Sequence, residues 1–156
     1  MHEAMKIAAG WLKDEDIRLD VDAASKTSVL DAVARVLAAR QGLDAKEVFD
    51  ALWHRERLGS TGLGHGVALP HARVAGLGRP VAAFMRLKQA IPFDAPDDVP
   101  VDLVVGLLLP REQSQQPLQL LAHIAELLSD VHRRARVRQA ADAQSVAREL
   151  AHAGAA

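Results

Sequence analysis

One stretch limits the possible folds more than any other. Between Pro100 and Pro110 the chain reads Val101-Asp102-Leu103-Val104-Val105-Gly106-Leu107-Leu108-Leu109, and from Leu103 onward it carries no charge. An uncharged run of this length, closed by prolines, predicts a central strand buried on both faces. Such a strand needs two covers, and the flanking sequence has the pattern to supply them. After Ser25, the residues Val29, Leu30, Val33, Val36 and Leu37 recur on one helical face, with Asp31, Arg35 and Arg40 off it and Gly42 as a stop. Asp44-Ala45-Lys46-Glu47 has capping-box spacing and opens a second helix, with Ala45, Val48, Phe49 and Leu52 on its face and its end near Leu58. Past the strand, helical spacing returns from Ser114, with Leu118, Leu121, Ile124, Ala125 and Leu128 on one side. Asp142 is placed to cap a last helix carrying Val146 and Leu150. Helices on both sides of the strands in sequence favour an α/β fold whose sheet is covered on both faces.

Further strands are expected at Ile17–Val21, which alternates apolar and charged residues, and at Val81–Met85, after a turn marked by Gly76, Gly78 and Pro80. Ile91–Pro100 holds three prolines and three aspartates and reads as a connection over the surface. Ile7–Lys13 is either a short helix or a docking segment anchored by Trp11 and Leu12. With 156 residues and no internal repeat or linker, the expectation is one domain, 1–156, in which 1–16 is a loosely packed N-terminal segment. Aromatic residues make up 3% and tyrosine is absent, so the core must be aliphatic.

Composition also excludes functions. The formal net charge of −1 argues against nucleic acid, whose binding rests on phosphate neutralisation. The absence of cysteine removes disulfides, thiol catalysis and thiolate metal sites. The charged N-terminal stretch is neither a secretory signal nor a membrane span, so no membrane insertion and a cytoplasmic location are expected.

What remains to be explained is Gly59-Ser60-Thr61-Gly62-Leu63-Gly64-His65-Gly66-Val67-Ala68-Leu69-Pro70-His71, with four of the ten glycines and two histidines. Pro70 pushes Leu69 into extended geometry, so Val67–Leu69 is expected to form a strand that delivers His71 to its end. A glycine loop running onto a histidine at a strand end suits exposure of one imidazole to a phosphoryl group. The backbone N–H groups of Gly62–Gly66 could form an anion-holding concavity there. Ser60 and Thr61 either bond to phosphate or fix the loop. His65 reads as loop filler, and Arg55, among His54, Glu56 and Arg57, reads on periodicity alone as a solvated helix end. The basic run Arg133, Arg134, Arg136, Arg138 reads as a solvated helix face, and Asp94 and Asp102 as turn and strand-entry residues.

Arg55-Glu56, then Leu58 through the Pro70-His71 pair, resembles the active-site segment of the mannitol/fructose-class enzyme IIA domains of the bacterial phosphoenolpyruvate-dependent phosphotransferase system. The resemblance is nearest to the stand-alone nitrogen-related regulatory branch. Ile91-Pro92-Phe93-Asp94-Ala95 and Pro100-Val101-Asp102-Leu103 resemble two further signature stretches, so similarity runs from about Ile17 to near the C-terminus. It implies a three-layer α/β/α fold with a mixed sheet. It also implies that His71 accepts a phosphoryl group, on the ring nitrogen remote from the backbone, from an HPr-like histidine phosphocarrier protein. Arg55 matches the arginine placed beside the phosphohistidine. Regulatory target proteins are the implied partners, and no cofactor and no metal are expected. One departure stands out: the family usually has a second active-site histidine where this chain has Pro117, and His123 lies six residues further on. Two other functions compete. One is a sugar-specific enzyme IIA subunit that relays phosphate to a transporter component. The other is a metal site built from His54, His65 and His71, for which the sequence has no His-Glu-x-x-His pair.

Overall fold

The computed structural model describes residues 11–112 and 116–150, except for the side chains of Gln116 and Pro117. A single 3-10 turn (Asp14–Asp16) leads into β1 (Ile17–Val21), followed by α1 (Lys26–Gln41) and α2 (Ala45–Leu58). Three short strands come next, β2 (Gly62–Gly64), β3 (Val67–Ala68) and β4 (His71–Val74), then the long β5 (Val81–Ile91) and β6 (Val101–Pro110). Three helices complete the chain: α3 (Gln116–Leu127), α4 (Val131–Gln139) and α5 (Ala143–Leu150).

The strands form one mixed sheet in the order β1-β5-β6-β3-β2, with β4 also paired to β6. β6 is the central strand expected from its composition. β5 lies antiparallel on one side of it, and β3 and β4 lie parallel on the other. Its side chains divide between two cores. Leu103, Val105, Leu107 and Leu109 pack with Leu120, Ile124, Leu128, Val137, Val146 and Leu150. Val101, Val104 and Leu108 pack with Val29, Leu30, Val33, Leu37, Val48 and Leu52. The fold is therefore three-layered α/β/α, with α1 and α2 on one face and the C-terminal helices on the other.

The helix ends follow local chemistry. Ser25 caps α1, its side chain accepting from the Ser28 N–H at 3.1 Å, and Gly42 closes that helix. Asp44 caps α2 by accepting from the Lys46 N–H at 2.8 Å. Asp142 accepts from the Ser145 N–H at 2.9 Å, as its position predicts.

Several expectations need correcting. α3 turns Leu120 and Ile124 inward, with Leu121 packed against the same core and Leu128 buried just past the helix end, as expected for Leu121, Ile124 and Leu128, whereas Leu118 is exposed. β5 runs to Ile91, and Phe93 and Ala95 tuck into the interior, so 91–100 is only partly a surface connection. The arginine run is not a solvated face. Arg134 is buried and donates to the Leu128 carbonyl at 3.0 Å, Arg133 bonds the Glu149 carbonyl, and Arg138 is forked onto Asp102. Of the two readings of Ile7–Lys13, the helix is not seen at Trp11–Lys13, which instead docks through buried Leu12 and half-buried Trp11; Ile7–Gly10 lie outside the described residues. Among the described residues no helix is long and apolar enough to cross a membrane.

Candidate functional site

The site is built where the edge of the sheet breaks. β3 and β4 run along the same side of β6, Val67 and Ala68 opposite Leu103 and Val104, and His71 opposite Leu107. Proline has no N–H to continue such a ladder, and Leu69-Pro70 interrupts it. The Leu69 N–H turns away to the Thr61 carbonyl at 3.0 Å, while the Pro70 carbonyl accepts from the Leu107 N–H at 2.9 Å. His71 is thus the first residue of β4 rather than the last of β3, as the sequence predicted. The break has a second effect: the Leu69 carbonyl lies 2.8 Å from Nδ1 of His71. A carbonyl can only accept, so the ring proton sits on Nδ1, and Nε2, remote from the backbone, keeps its lone pair.

The surroundings keep that ring neutral. Burial pushes the His71 pKa below the ordinary histidine value, and the nearby Arg55 and Arg73 cations push it further the same way. The Leu69 carbonyl and the Glu56 carboxylate act against them. Arg55, in the last turn of α2, uses one guanidinium nitrogen to bond the Gly59 carbonyl at 2.8 Å. Arg73, two residues along β4, donates to the Pro110 carbonyl at 3.3 Å. His71 is therefore an imidazole disfavoured from taking up a proton, with the positive charges of Arg55 and Arg73 near enough to act on it, which suits an incoming anion.

The loop before β3 is held by side chains. Ser60 Oγ donates to the Phe93 carbonyl at 2.7 Å and accepts from the Gly62 N–H at 3.0 Å. Thr61 gives both its N–H, at 3.0 Å, and its hydroxyl, at 2.5 Å, to the buried Glu56 carboxylate. Both hydroxyls are thus engaged in fixing the loop. The expected anion concavity at Gly62–Gly66 is instead a hairpin joining β2 to β3. His65 (φ 58°) and Gly66 (φ 82°) are its two central residues, both in the left-handed region that such tight turns need. The Gly64-His65-Gly66 tip is docked on acids and on Arg138. The His65 N–H donates to Asp97 at 2.8 Å, which with the Val99 N–H holds that carboxyl below its usual pKa, and the His65 carbonyl accepts from Arg138 at 2.7 Å.

The hairpin and His71 stand at different levels of the sheet. Val67 and His71 pair with residues four apart on β6, roughly 13 Å along a strand, and the tip lies beyond Val67. His65 is not brought to His71. His54 is exposed on α2, and among the described residues no group of three or more acidic or histidine side chains could hold a metal ion. Pro117 is the second residue of α3, and the expected helix start at Ser114 lies outside the described residues.

Two participants escaped the sequence reading, Glu56 and Arg73. The Glu56 signal was present: it lies four residues after Leu52 and eight after Val48, on the buried face of α2. Arg73 also had a local signal: two residues after His71 on one strand, it shares the face of that residue.

A three-layer body with this mixed sheet is shared with a solved structure, nitrogen regulatory protein IIA-Ntr from Neisseria meningitidis. The two match with a TM-score of 0.85 and 36% identity, over 88% of this chain and 94% of that one. The family model described as phosphoenolpyruvate-dependent sugar phosphotransferase system, EIIA 2, matches residues 11–153, and the chain belongs to that family. Among its relatives, the nitrogen regulatory protein of Pseudomonas aeruginosa is 39% identical over 129 residues, 82% of this chain and 84% of that protein. The nitrogen regulatory protein of Escherichia coli is 38% identical over 120 residues, covering 76% and 74% of the two chains.

Proposed function

We propose that this chain is a phosphoryl-accepting regulatory protein of a phosphotransferase system. His71 takes the phosphoryl group from an HPr-like histidine phosphocarrier, and the phosphorylation state controls binding to target proteins. The observation that carries this reading is the bond from His71 Nδ1 to the Leu69 carbonyl, which leaves Nε2 as the nucleophile. Its lone pair attacks phosphorus on the carrier's phosphohistidine, and the carrier's P–N bond breaks as the new one forms. Nδ1 keeps its proton, so the His71 ring takes on positive charge; the carrier's phosphorylated ring, protonated on its other nitrogen, gives up that charge and leaves as neutral imidazole. No proton has to cross between the proteins.

Phosphoryl transfer is mostly positioning and charge stabilisation. Arg55 has a planar fork of donors for the equatorial oxygens, and Arg73 adds a second cation on the same side of the charge balance. The regulatory reading is preferred to a sugar relay because relatives at 38–39% identity are named nitrogen regulatory proteins, whereas a relative named as a fructose-specific EIIA component is 30% identical.

Incubation with phosphoenolpyruvate, the general enzyme of the system and the carrier should label the protein, and the label should be acid-labile and base-stable, as a phosphoramidate is. His71→Ala should take up none; undiminished labelling of that variant would overturn the assignment. Rapid discharge of the labelled protein by a sugar-specific transporter component, at a rate rivalling its charging by carrier, would favour the relay instead.

A further inference from the structure

Behind the imidazole runs a continuous set of contacts that starts far away in sequence. Lys26, in the first turn of α1, pairs with the Glu56 carboxylate and with Asp94, each at 3.0 Å, and its ammonium lies 4.8 Å from the centre of the Phe93 ring. Glu56 accepts both the N–H and the hydroxyl of Thr61. The Thr61 carbonyl accepts the Leu69 N–H at 3.0 Å, and the Leu69 carbonyl accepts Nδ1–H of His71 at 2.8 Å. Every link alternates donor and acceptor in one direction, from the carboxylate to the ring.

We propose that Glu56 is a positioning residue for phosphoryl transfer: through Thr61 and Leu69 it fixes which nitrogen of His71 holds the proton and which one attacks. The inference rests on the phosphoryl-acceptor reading of His71. The reason lies in what the Leu69 carbonyl would otherwise do. Two anchors aim it from either side: the Leu69 N–H, in the preceding peptide plane, is moored to the Thr61 carbonyl, and Pro70, in its own plane, is held to β6 where its carbonyl accepts from the Leu107 N–H. Thr61 is moored in turn by two bonds to one buried carboxylate. Glu56 is 5% exposed, and a buried carboxylate with three donors around it does not reorient freely. Its negative charge also acts on the ring in the sense opposite to Arg55 and Arg73, favouring the positive charge that develops there as phosphorus is transferred.

The test uses the whole chain labelled with 15N-histidine. In the wild type, His71 should show a protonated Nδ1 and an unprotonated Nε2. In Glu56→Gln, which keeps the size but loses the charge and replaces one acceptor by a donor, the two tautomers should mix. Single-turnover transfer from phosphorylated carrier should fall about tenfold or more. Thr61→Val, which loses only the hydroxyl bond, should fall between the two and stands in should Glu56→Gln fail to fold. Leu37→Ala, a core cavity matched in unfolding midpoint, controls for plain destabilisation and should change neither signal. An unchanged His71 tautomer in Glu56→Gln and Thr61→Val would overturn the proposal, as would the same tautomer mixing in Leu37→Ala. A wild type that shows the tautomer but accepts no phosphate would instead overturn the acceptor reading, and leave the positioning of the ring by Glu56 standing.

Discussion

Two glycines with nearly the same backbone conformation separate steric necessity from conformational necessity in the hairpin beside the site. Gly66 has φ 82° and Gly76 has φ 86°, so an alanine at either pays the left-handed penalty of about 1–2 kcal/mol. Their surroundings differ. A Cβ at Gly76 would meet nothing within 4 Å, whereas at Gly66 it would lie 2.5 Å from Nη2 of Arg138 and 3.1 Å from Oδ1 of Asp102. The arginine would have to withdraw, losing the 2.7 Å bond to the His65 carbonyl and part of its fork on Asp102. A charge-assisted bond at a partly exposed site is worth about 1–2 kcal/mol. Gly66→Ala should therefore destabilise by about 2–4 kcal/mol, against about 1–2 for Gly76→Ala. At this chain length the gap corresponds to about 2–8 °C in unfolding midpoint. Urea unfolding with an unchanged m-value is the equilibrium check. Adding Arg138→Ala to Gly66→Ala should cost less than the two changes separately, because the space is then free. Equal midpoints for the two alanine variants would refute the claim that Arg138 occupies the space under the hairpin.

Three further outcomes concern the site itself. Because burial and two arginines lower the His71 pKa, its NMR titration midpoint should lie below the ordinary value of about 6.5. The unfolded chain then takes up the proton first, so the His71 contribution to stability is full above about pH 6.5 and is lost as pH falls through the folded pKa; a midpoint at or above 6.5 would contradict this. Arg55→Lys keeps the charge but loses the planar fork, and should slow transfer from the carrier by about tenfold with the fold intact; a wild-type rate would return Arg55 to a helix-end role. Pro117 sits in the first turn of α3, where N–H groups have no intrahelical partner, so Pro117→His should leave the fold unchanged and raise the transfer rate by about tenfold or more through an added hydrogen bond. An unaltered rate would mean that this site works without a second imidazole.

Much of this protein was legible because its signals are local. The uncharged run at Leu103–Leu109 could only be an interior strand, and the periodic apolar residues of α1 and α2 could only cover it. Caps such as Asp44 and Asp142 mark their helices through bonds that close within two or three residues. The glycine stretch pointed to His71 for the same reason: the effect of Pro70 on its neighbours is a property of the backbone. What failed were readings that depend on a partner distant in sequence. Charge on a helix normally predicts solvent, yet Arg134 and Arg138 turn inward because the Leu128 carbonyl and Asp102 are there to receive them. The glycines of 62–66 looked free to cradle an anion, but Asp97, thirty-two residues from His65, and Arg138, seventy-three away, claim the tip. The sequence by itself determined a doubly covered sheet and singled out His71 as the candidate acceptor. Only the tertiary structure decided which nitrogen of that histidine is free, because the proton is placed by the Leu69 carbonyl, and that carbonyl is aimed by a register between β3, β4 and β6 that no local pattern encodes.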